Sequence, residues 1–419
     1  MDYQGGAPVN QFILDDRRLI VIIGRNFGFP NGYGAAVRVS ALARGFKANG
    51  ASVNIICMRT TEHSIQTALN RELQGEWMGI PFLYTCGDPV RSSSFVKRRI
   101  SELAGIVGAM AHIAKNRRML RCIYYYSPHN LFIVLLMKLL SLLLRVPLIA
   151  EYTEFPFISQ NQTILCRMHE LLLRKLLCPM LDGLIVISTF LETHFSACLR
   201  RGRPILRVPI FVYPGDETKQ MIEFSSINKV PSEPLILYLG NLDHVGEVED
   251  LIEAVSAVGR SGFSCRLLIV GGSSSPDRTK HLKELGGHVP SNVSIDFAGS
   301  IQRNKIPDII AEADILVLPR RSGLFSLAGF PTKLAEYLMS GTPVVVSSVG
   351  DISKYLTHSE SAYLVEPGCV SSLADTLSMV LENLEASKLV GMKGREIALE
   401  HFNAITESKR ILEMIDCLG

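Results

Sequence analysis

The sequence lacks the marks of several protein classes. Its nine cysteines include no CxxC pair and are odd in number. A disulfide framework is therefore not indicated, and the thiols read as buried groups of a reducing compartment. Charge of one sign is scarce: 43 basic residues face 40 acidic ones, a net of +3, which argues against a dedicated nucleic-acid binder. No apolar run reaches the roughly 20 residues of a comfortable membrane span. The opening MDYQGGAPVN is polar, which predicts no secretory signal. What is present is length and grease. The 419 residues suffice for two or three ordinary domains. They are 47% hydrophobic with a mean hydropathy of +0.23, enough for sizeable cores and slightly greasy for a free cytosolic protein.

The most informative stretch is 314–350, DILVLPRRSGLFSLAGFPTKLAEYLMSGTPVVVSSVG. A short apolar run, 314–318, has strand length. Residues 319–329 are rich in Gly, Ser and Arg and read as an ordered loop. Leu334, Tyr337, Leu338 and Gly341 keep helical spacing, with Pro331 and Thr332 as start signals and Gly341 as the stop. Thr342-Pro343 turns the chain into Val344-Val345-Val346. This is a βαβ unit, and its polar groups sit beyond a strand end and at a helix start, where such units bind ligands.

The alternation recurs along the chain. A strand at 18–24 leads into the loop RNFGFPNGYG, a helix over 35–49 and a strand at 52–58. A dinucleotide fingerprint fails there: Gly32 and Gly34 give GxG, Val37 takes the third glycine's place, and the second strand ends in Cys57-Met58-Arg59 without an acid for a ribose. Basic clusters at 97–99 and 115–121 flank an apolar helical segment over 103–113. The run 131–144, LFIVLLMKLLSLLL, reads as a buried core helix or as one lying on a bilayer surface, favoured there by the basic clusters. An amphipathic helix is predicted over 161–181, and a strand follows at 182–188. A polar boundary at 214–234 separates the halves. The expected organisation is a first lobe at 1–213, a linker at 214–234, a second lobe at 235–400, and a final helix at 401–419 packing back on the first lobe. The class is α/β with parallel sheets.

The 314–350 stretch resembles the donor-site signature of retaining glycosyltransferases of the family-four (group 1) type. The resemblance implies the GT-B fold, two Rossmann-like lobes facing across a cleft, and transfer of a sugar from a nucleotide sugar. The family form has an acid, seven residues, then a glutamate. Here the glutamate is Glu336 within PTKLAEY and the first position is Ala328. The family's basic pair after the first strand of the second lobe falls on Asn241 and Val245, beside Gly240 and Gly246. The implied donor site is Gly240, Asn241, Gly299, Arg320, Arg321, Phe330, Pro331, Thr332, Lys333 and Glu336. Glu336 would accept the ribose hydroxyls, and Arg320, Arg321 and Lys333 would take over the diphosphate. Gly32, Tyr33, Gly34 and Arg38 would form the loop facing acceptor and phosphates. Glu154 and His129, with Glu151 and Tyr152 as alternatives, would stand at the acceptor hydroxyl. No Asp-x-Asp stands at a strand end, so neither metal nor cofactor is expected. The implied acceptor is lipid-linked or a glycan of cell-surface polysaccharide or glycoconjugate synthesis. The implied location is cytoplasmic, peripheral on the inner membrane face. An inactive nucleotide-sugar-binding subunit and a sugar-nucleotide epimerase of the same shape are the alternatives.

Overall fold

The computed structural model describes residues 18–32, 34–63, 68–155, 168, 171–214 and 233–418. Two sheets organise them. The first starts with β1 (Leu19–Gly24), all six residues of which are buried. A strand covered on both faces has no wet side, so its sequence is an unbroken apolar run. It is followed by α1 (Gly34–Ala48), β2 (Ser52–Cys57), and a hairpin of β3 (Gln74–Trp77) and β4 (Ile80–Tyr84). Then come α2 (Phe95–Lys115), β5 (Leu120–Tyr126), α3 (Leu131–Leu144), β6 (Leu148–Tyr152), β7 (Gly183–Val186), α4 (Thr189–Ser196) and β8 (Ile205–Arg207). The order across the sheet is β3-β4-β2-β1-β5-β6-β7-β8, with β3 antiparallel to β4 and the other pairs parallel.

The second sheet is parallel throughout, in the order β11-β10-β9-β12-β13-β14. Its elements are β9 (Leu235–Leu239), α5 (Glu247–Arg260), β10 (Cys265–Val270), α6 (Pro276–Gly286), β11 (Val293–Gly299), α7 (Ile306–Glu312) and β12 (Ile315–Leu318). After β12 come α8 (Leu324–Ala328), α9 (Thr332–Ser340), β13 (Val344–Ser347) and β14 (Tyr363–Val365). The chain ends with α10 (Val370–Glu382), α11 (Leu384–His401) and α12 (Ala404–Asp416). The strand order reverses between β1 and β5 in one sheet and between β9 and β12 in the other. Open α/β sheets bind ligands beyond the carboxyl ends of strands at such reversals.

The two carboxyl edges meet. Ser188, just past β7, donates its Oγ to the Ala328 carbonyl at 2.6 Å. The Asp351 carboxylate, past β13, accepts from Thr189 N at 2.6 Å and Thr189 Oγ1 at 2.9 Å. Farther along, α12 returns to the first lobe and lies on α1. A Cβ on Gly45 of α1 would run into Ser408 and the Ala404 carbonyl, so glycine sets the close approach of these helices. Val212 N donates to Phe402 O and Ala404 N to Val212 O, both at 2.9 Å.

Several expectations change. The basic cluster 97–99 is not ahead of the α2 helix but in its first turn, because α2 begins at Phe95 behind the Ser94 cap. The β3–β4 hairpin has no counterpart in the sequence reading. Of the predicted helix over 161–181, residues 161–167, 169 and 170 lie outside the described residues, and 173–180 form a π turn and a 3-10 turn instead of a regular helix. Of the polar boundary, 215–232 lies outside the described residues. The 131–144 run is the helix α3, capped by Asn130 and ended by Arg145 in the left-handed conformation. It is not buried all round. Ile133, Val134, Met137 and Leu140 face the core, while Phe132, Leu139, Leu142 and Leu143 are half exposed or more. Among the described residues no helix is long and apolar enough to cross a membrane.

Candidate functional site

The expected donor residues gather at the reversal of the second sheet, in two clusters. The first lies between the loop after β9 and the loop after β12. Gly240 continues β9, its N–H donating to Val270 O at 3.0 Å. Asn241 is exposed and its Oδ1 accepts from Asp243 N at 3.0 Å, so its side chain builds a turn. Val245 is 75% exposed. Neither supplies charge, as the sequence implied. The charge arrives from across the reversal. Arg321 lays its guanidinium against Gly246, where a Cβ would collide with it. Gly246 also has φ +90, a left-handed conformation that glycine adopts without strain.

Arg321 is not loose, however. Asp250 in the first turn of α5 takes it bidentately, at 2.8 and 2.6 Å. Of the two arginines expected at a ligand's phosphates, Arg321 is thus the one held by a carboxylate. Arg320 lies over the Phe325 ring at 5.3 Å, and among the described residues it forms no ion pair. Its positive charge is felt by its neighbours. Burial pushes the Glu247 carboxyl up, with Arg320 opposing, and burial pushes the His244 imidazole down, with Arg320 adding to it.

The second cluster is Lys333, Glu336 and Arg303. Glu336 is 6% exposed on α9. Its two oxygens accept from Arg303 Nη1 and Nη2 at 3.0 and 2.7 Å. Each carboxylate oxygen has a second lone pair, so the pair can still accept from a hydroxyl. Lys333 stands one turn earlier. Burial holds its amine below the usual lysine range, with Glu336 opposing and Arg303 assisting. The cluster is pinned to the sheet by Tyr337, whose Oη accepts from Leu239 N at 2.7 Å. Sequence reasoning missed Arg303. Its only signal was a basic residue soon after Gly299, at the exit of β11.

The remaining donor candidates divide. Gly299 ends β11, its carbonyl accepting from Gly271 N at 2.9 Å, and Thr332 is exposed at the start of α9. Phe330 and Pro331 are buried. Phe330 packs its ring 5.7 Å from Phe402 and 5.9 Å from Tyr355. Ala328, where the family form has its first acid, is fully buried at the contact with Ser188.

In the first lobe, Gly32 and Gly34 precede and open α1, and Tyr33 lies outside the described residues. Arg38 is corrected outright. It is 4% exposed, donates Nε to Glu151 at 2.5 Å, and gives its other nitrogens to Pro209 O and Val208 O at 2.8 and 3.1 Å. Glu151, wholly buried, also accepts from Tyr124 Oη at 2.7 Å. This is a closed internal network, because a buried guanidinium must satisfy its donors locally. His129 and Glu154 stand at the exits of the neighbouring strands β5 and β6. His129 Nε2 pairs with Ser127 Oγ at 3.0 Å, and Glu154 is exposed. Among the described residues no three His, Cys, Asp or Glu side chains gather as metal ligands would.

Residues 233–383 match the model of the family described as glycosyl transferases group 1. Among curated proteins, N-acetyl-alpha-D-glucosaminyl L-malate synthase of Bacillus anthracis is 25% identical over 174 residues, 41% of this chain and 42% of its own. D-inositol 3-phosphate glycosyltransferase of Nocardia farcinica is 25% identical over 184 residues, 43% of this chain and 39% of its own. The matches thus span about two fifths of these relatives' length. Among solved structures, sucrose-phosphate synthase of Thermosynechococcus elongatus superposes with a TM-score of 0.68 at 19% identity, covering 96% of this chain and 99% of its own. HepE of Anabaena, solved with UDP and glucose, gives 0.65 at 16% identity, over 95% and 99%. At such identities the likeness shows the fold. The chain is a two-lobed α/β protein of the GT-B type whose residues 233–383 match the glycosyl transferases group 1 model.

Proposed function

We propose that this protein moves a hexose, with retention, from a nucleotide sugar to a lipid-linked acceptor at a membrane surface. The observation that carries the reading is the pair of polar clusters at the reversal of the second sheet. Glu336 with Lys333 and Arg303 suits the ribose end of a nucleotide, and Arg320 beside the Gly240 loop suits the diphosphate. Breaking a sugar–phosphate bond builds charge on the leaving diphosphate. A fixed guanidinium and a half-buried ammonium stabilise that charge more in the transition state than before it. His129 and Glu154, at the first lobe's strand exits, would hold the acceptor hydroxyl. HepE, solved with UDP and with UDP-glucose, supports a uridine nucleotide as the first donor to try.

Glu336→Gln is expected to weaken nucleotide-sugar binding by roughly 1–3 kcal/mol, since it replaces a charged acceptor by a neutral amide. Titration calorimetry with UDP-glucose measures it, and an unchanged affinity would take Glu336 out of the site. The two arginines should differ. Arg320→Ala should weaken a nucleoside diphosphate about tenfold or more while barely touching the nucleoside. Arg321→Ala should do less, because Asp250 already holds Arg321. Equal losses for nucleoside and nucleoside diphosphate would move these residues to the base or ribose.

The membrane part rests on α2 and α3. Val96, Ile100, Leu103 and Val107 form one helical face of α2, and all are more than 60% exposed. On α3 the faces of Phe132, Leu139, Leu142 and Leu143 continue it, since the two helices pack side by side. Monomeric proteins seldom leave so large a patch to water. Lys97 and Arg99 on α2 and Arg117 and Arg118 beyond it are exposed and suit anionic headgroups.

A second reading is an inactive nucleotide-sugar-binding subunit. The burial of Ala328, the exposed Val245 and the Asp250-bound Arg321 favour it. Release of UDP from UDP-glucose by the purified protein would rule for the enzyme. Tight binding with no turnover under any acceptor would rule for the subunit.

A further inference from the structure

The first lobe holds a basic cavity that the donor chemistry does not use. It measures about 280 Å³ and opens between the loop after β2 and the first turns of α2. Arg59, Arg91, Arg98 and Arg99 line it, together with Phe95, and Glu102 is its only acidic wall. Glu102 takes Arg99 at 2.9 Å, Arg59 at 3.7 Å and, from the exit of β1, Arg25 at 3.9 Å. Three guanidiniums therefore share one carboxylate, and those of Arg91 and Arg98 stand in the same cavity wall. Gathering like charges is unfavourable unless an anion joins them, and one carboxylate cannot balance five cations.

The cluster is also shaped. Arg98 is fixed by Ser92 O and Ser93 O at 3.2 and 2.9 Å, and Arg99 lies 5.1 Å over the Phe95 ring. Planar guanidinium forks match phosphate oxygens in pairs. A ligand with several negative charges on adjacent phosphates fits this excess better than a single carboxylate or phosphodiester. The surroundings say what else the ligand carries. The cavity stands at the carboxyl edge of the sheet, the edge that faces the second lobe. The exposed apolar face of α2 starts beside it at Val96 and continues through Val107 to α3. A highly anionic group and a long apolar surface therefore meet at the cavity's rim.

We infer that this arginine cavity holds the diphosphate of a lipid-diphosphate-linked acceptor, with the lipid chain laid along the apolar faces of α2 and α3. This rests on the reading that the acceptor is lipid-linked, and it places that acceptor's phosphates on residues separate from those of the donor.

The test compares farnesyl diphosphate, farnesol, inorganic pyrophosphate and phosphatidylcholine vesicles containing phosphatidylglycerol. Binding is measured for the wild type and for Arg59→Gln/Arg99→Gln, with UDP titrated beside them. Farnesyl diphosphate should bind the wild type at least about tenfold more tightly than farnesol or pyrophosphate, because both of its parts are engaged. The double variant should lose about tenfold or more for farnesyl diphosphate with UDP affinity and thermal unfolding unchanged. If the variant misfolds, Arg91→Gln, at an exposed side chain, gives the same readout. Pyrophosphate binding as tightly as farnesyl diphosphate would overturn the proposal. So would a variant that loses the vesicles alone, since the cavity would then serve phospholipid headgroups. A wild type that binds farnesyl diphosphate through these arginines and no nucleotide would uphold the cavity and sink the transferase reading.

Discussion

Replacing Glu151 by alanine is expected to cost the fold about 3–5 kcal/mol, the usual loss when one member of a buried ion pair is removed. Arg38 would keep its bonds to Pro209 O and Val208 O but would lose the carboxylate it is bonded to in a buried setting. Tyr124 Oη would lose its acceptor as well. Denaturant unfolding measures the drop. Binding of UDP to the protein that remains folded should not change, because the network closes within the first lobe. A variant as stable as the wild type but poorer in ligand binding would return Arg38 to the role the sequence suggested. Replacing both Arg38 and Glu151 by methionine should recover much of the loss, since a well-packed apolar pair leaves no orphaned charge.

Changing Phe132, Leu142 and Leu143 together to glutamine is expected to lower binding to phosphatidylglycerol-containing vesicles by about a thousandfold. Each buried apolar side chain is worth roughly 1.5–3 kcal/mol, and 1.4 kcal/mol is a factor of about ten. Thermal unfolding should hardly move, because Leu143 is 81% exposed and Phe132 and Leu142 are 61% exposed in the folded chain. Raising salt should weaken the wild type partly, through the screened lysines and arginines, and should leave the apolar share intact. Vesicle sedimentation that is identical for the two proteins would return this face to another partner.

Much of this was legible in the sequence, for a definite reason. The strands β1, β9, β12 and β13 are buried on both faces, so LIVIIG, LILYL, ILVL and VVVS stand out without any knowledge of their neighbours. The reversal of strand order put the Gly240 loop beside Arg320, and the βαβ unit put Glu336 at its helix start. What escaped depends on partners far along the chain. Arg38 looks like a helix arginine until Glu151, 113 residues later, turns up against it. Arg303 has no motif, and only the folded second lobe brings it to Glu336. Phe330 follows the ligand signature closely enough to be taken for part of it, yet its ring is held by Phe402 from the far end of the chain. The β3–β4 hairpin sits at an edge with alternating exposure, and its turn, Met78-Gly79, carries no Asn-Gly signal. The α3 helix was ambiguous because a uniformly apolar run cannot say which of its sides meets protein.

The bonds between Val212 and the segment Phe402–Ala404 have a mechanical meaning. The backbone passes from one lobe to the other near Val212, and it comes back near Phe402. Ladder bonds tie these two passages to each other. A single passage would act as a tether, leaving the lobes free to slide, twist and tilt. Two passages fastened at one point act as a pin: sliding and twisting strain both at once, and tilting is the compliant movement that remains. The distance between the two polar clusters of the second lobe and the strand exits of His129 and Glu154 would then follow one angle. Cutting one of the ladder bonds, far from either group, would loosen their alignment without touching a ligand.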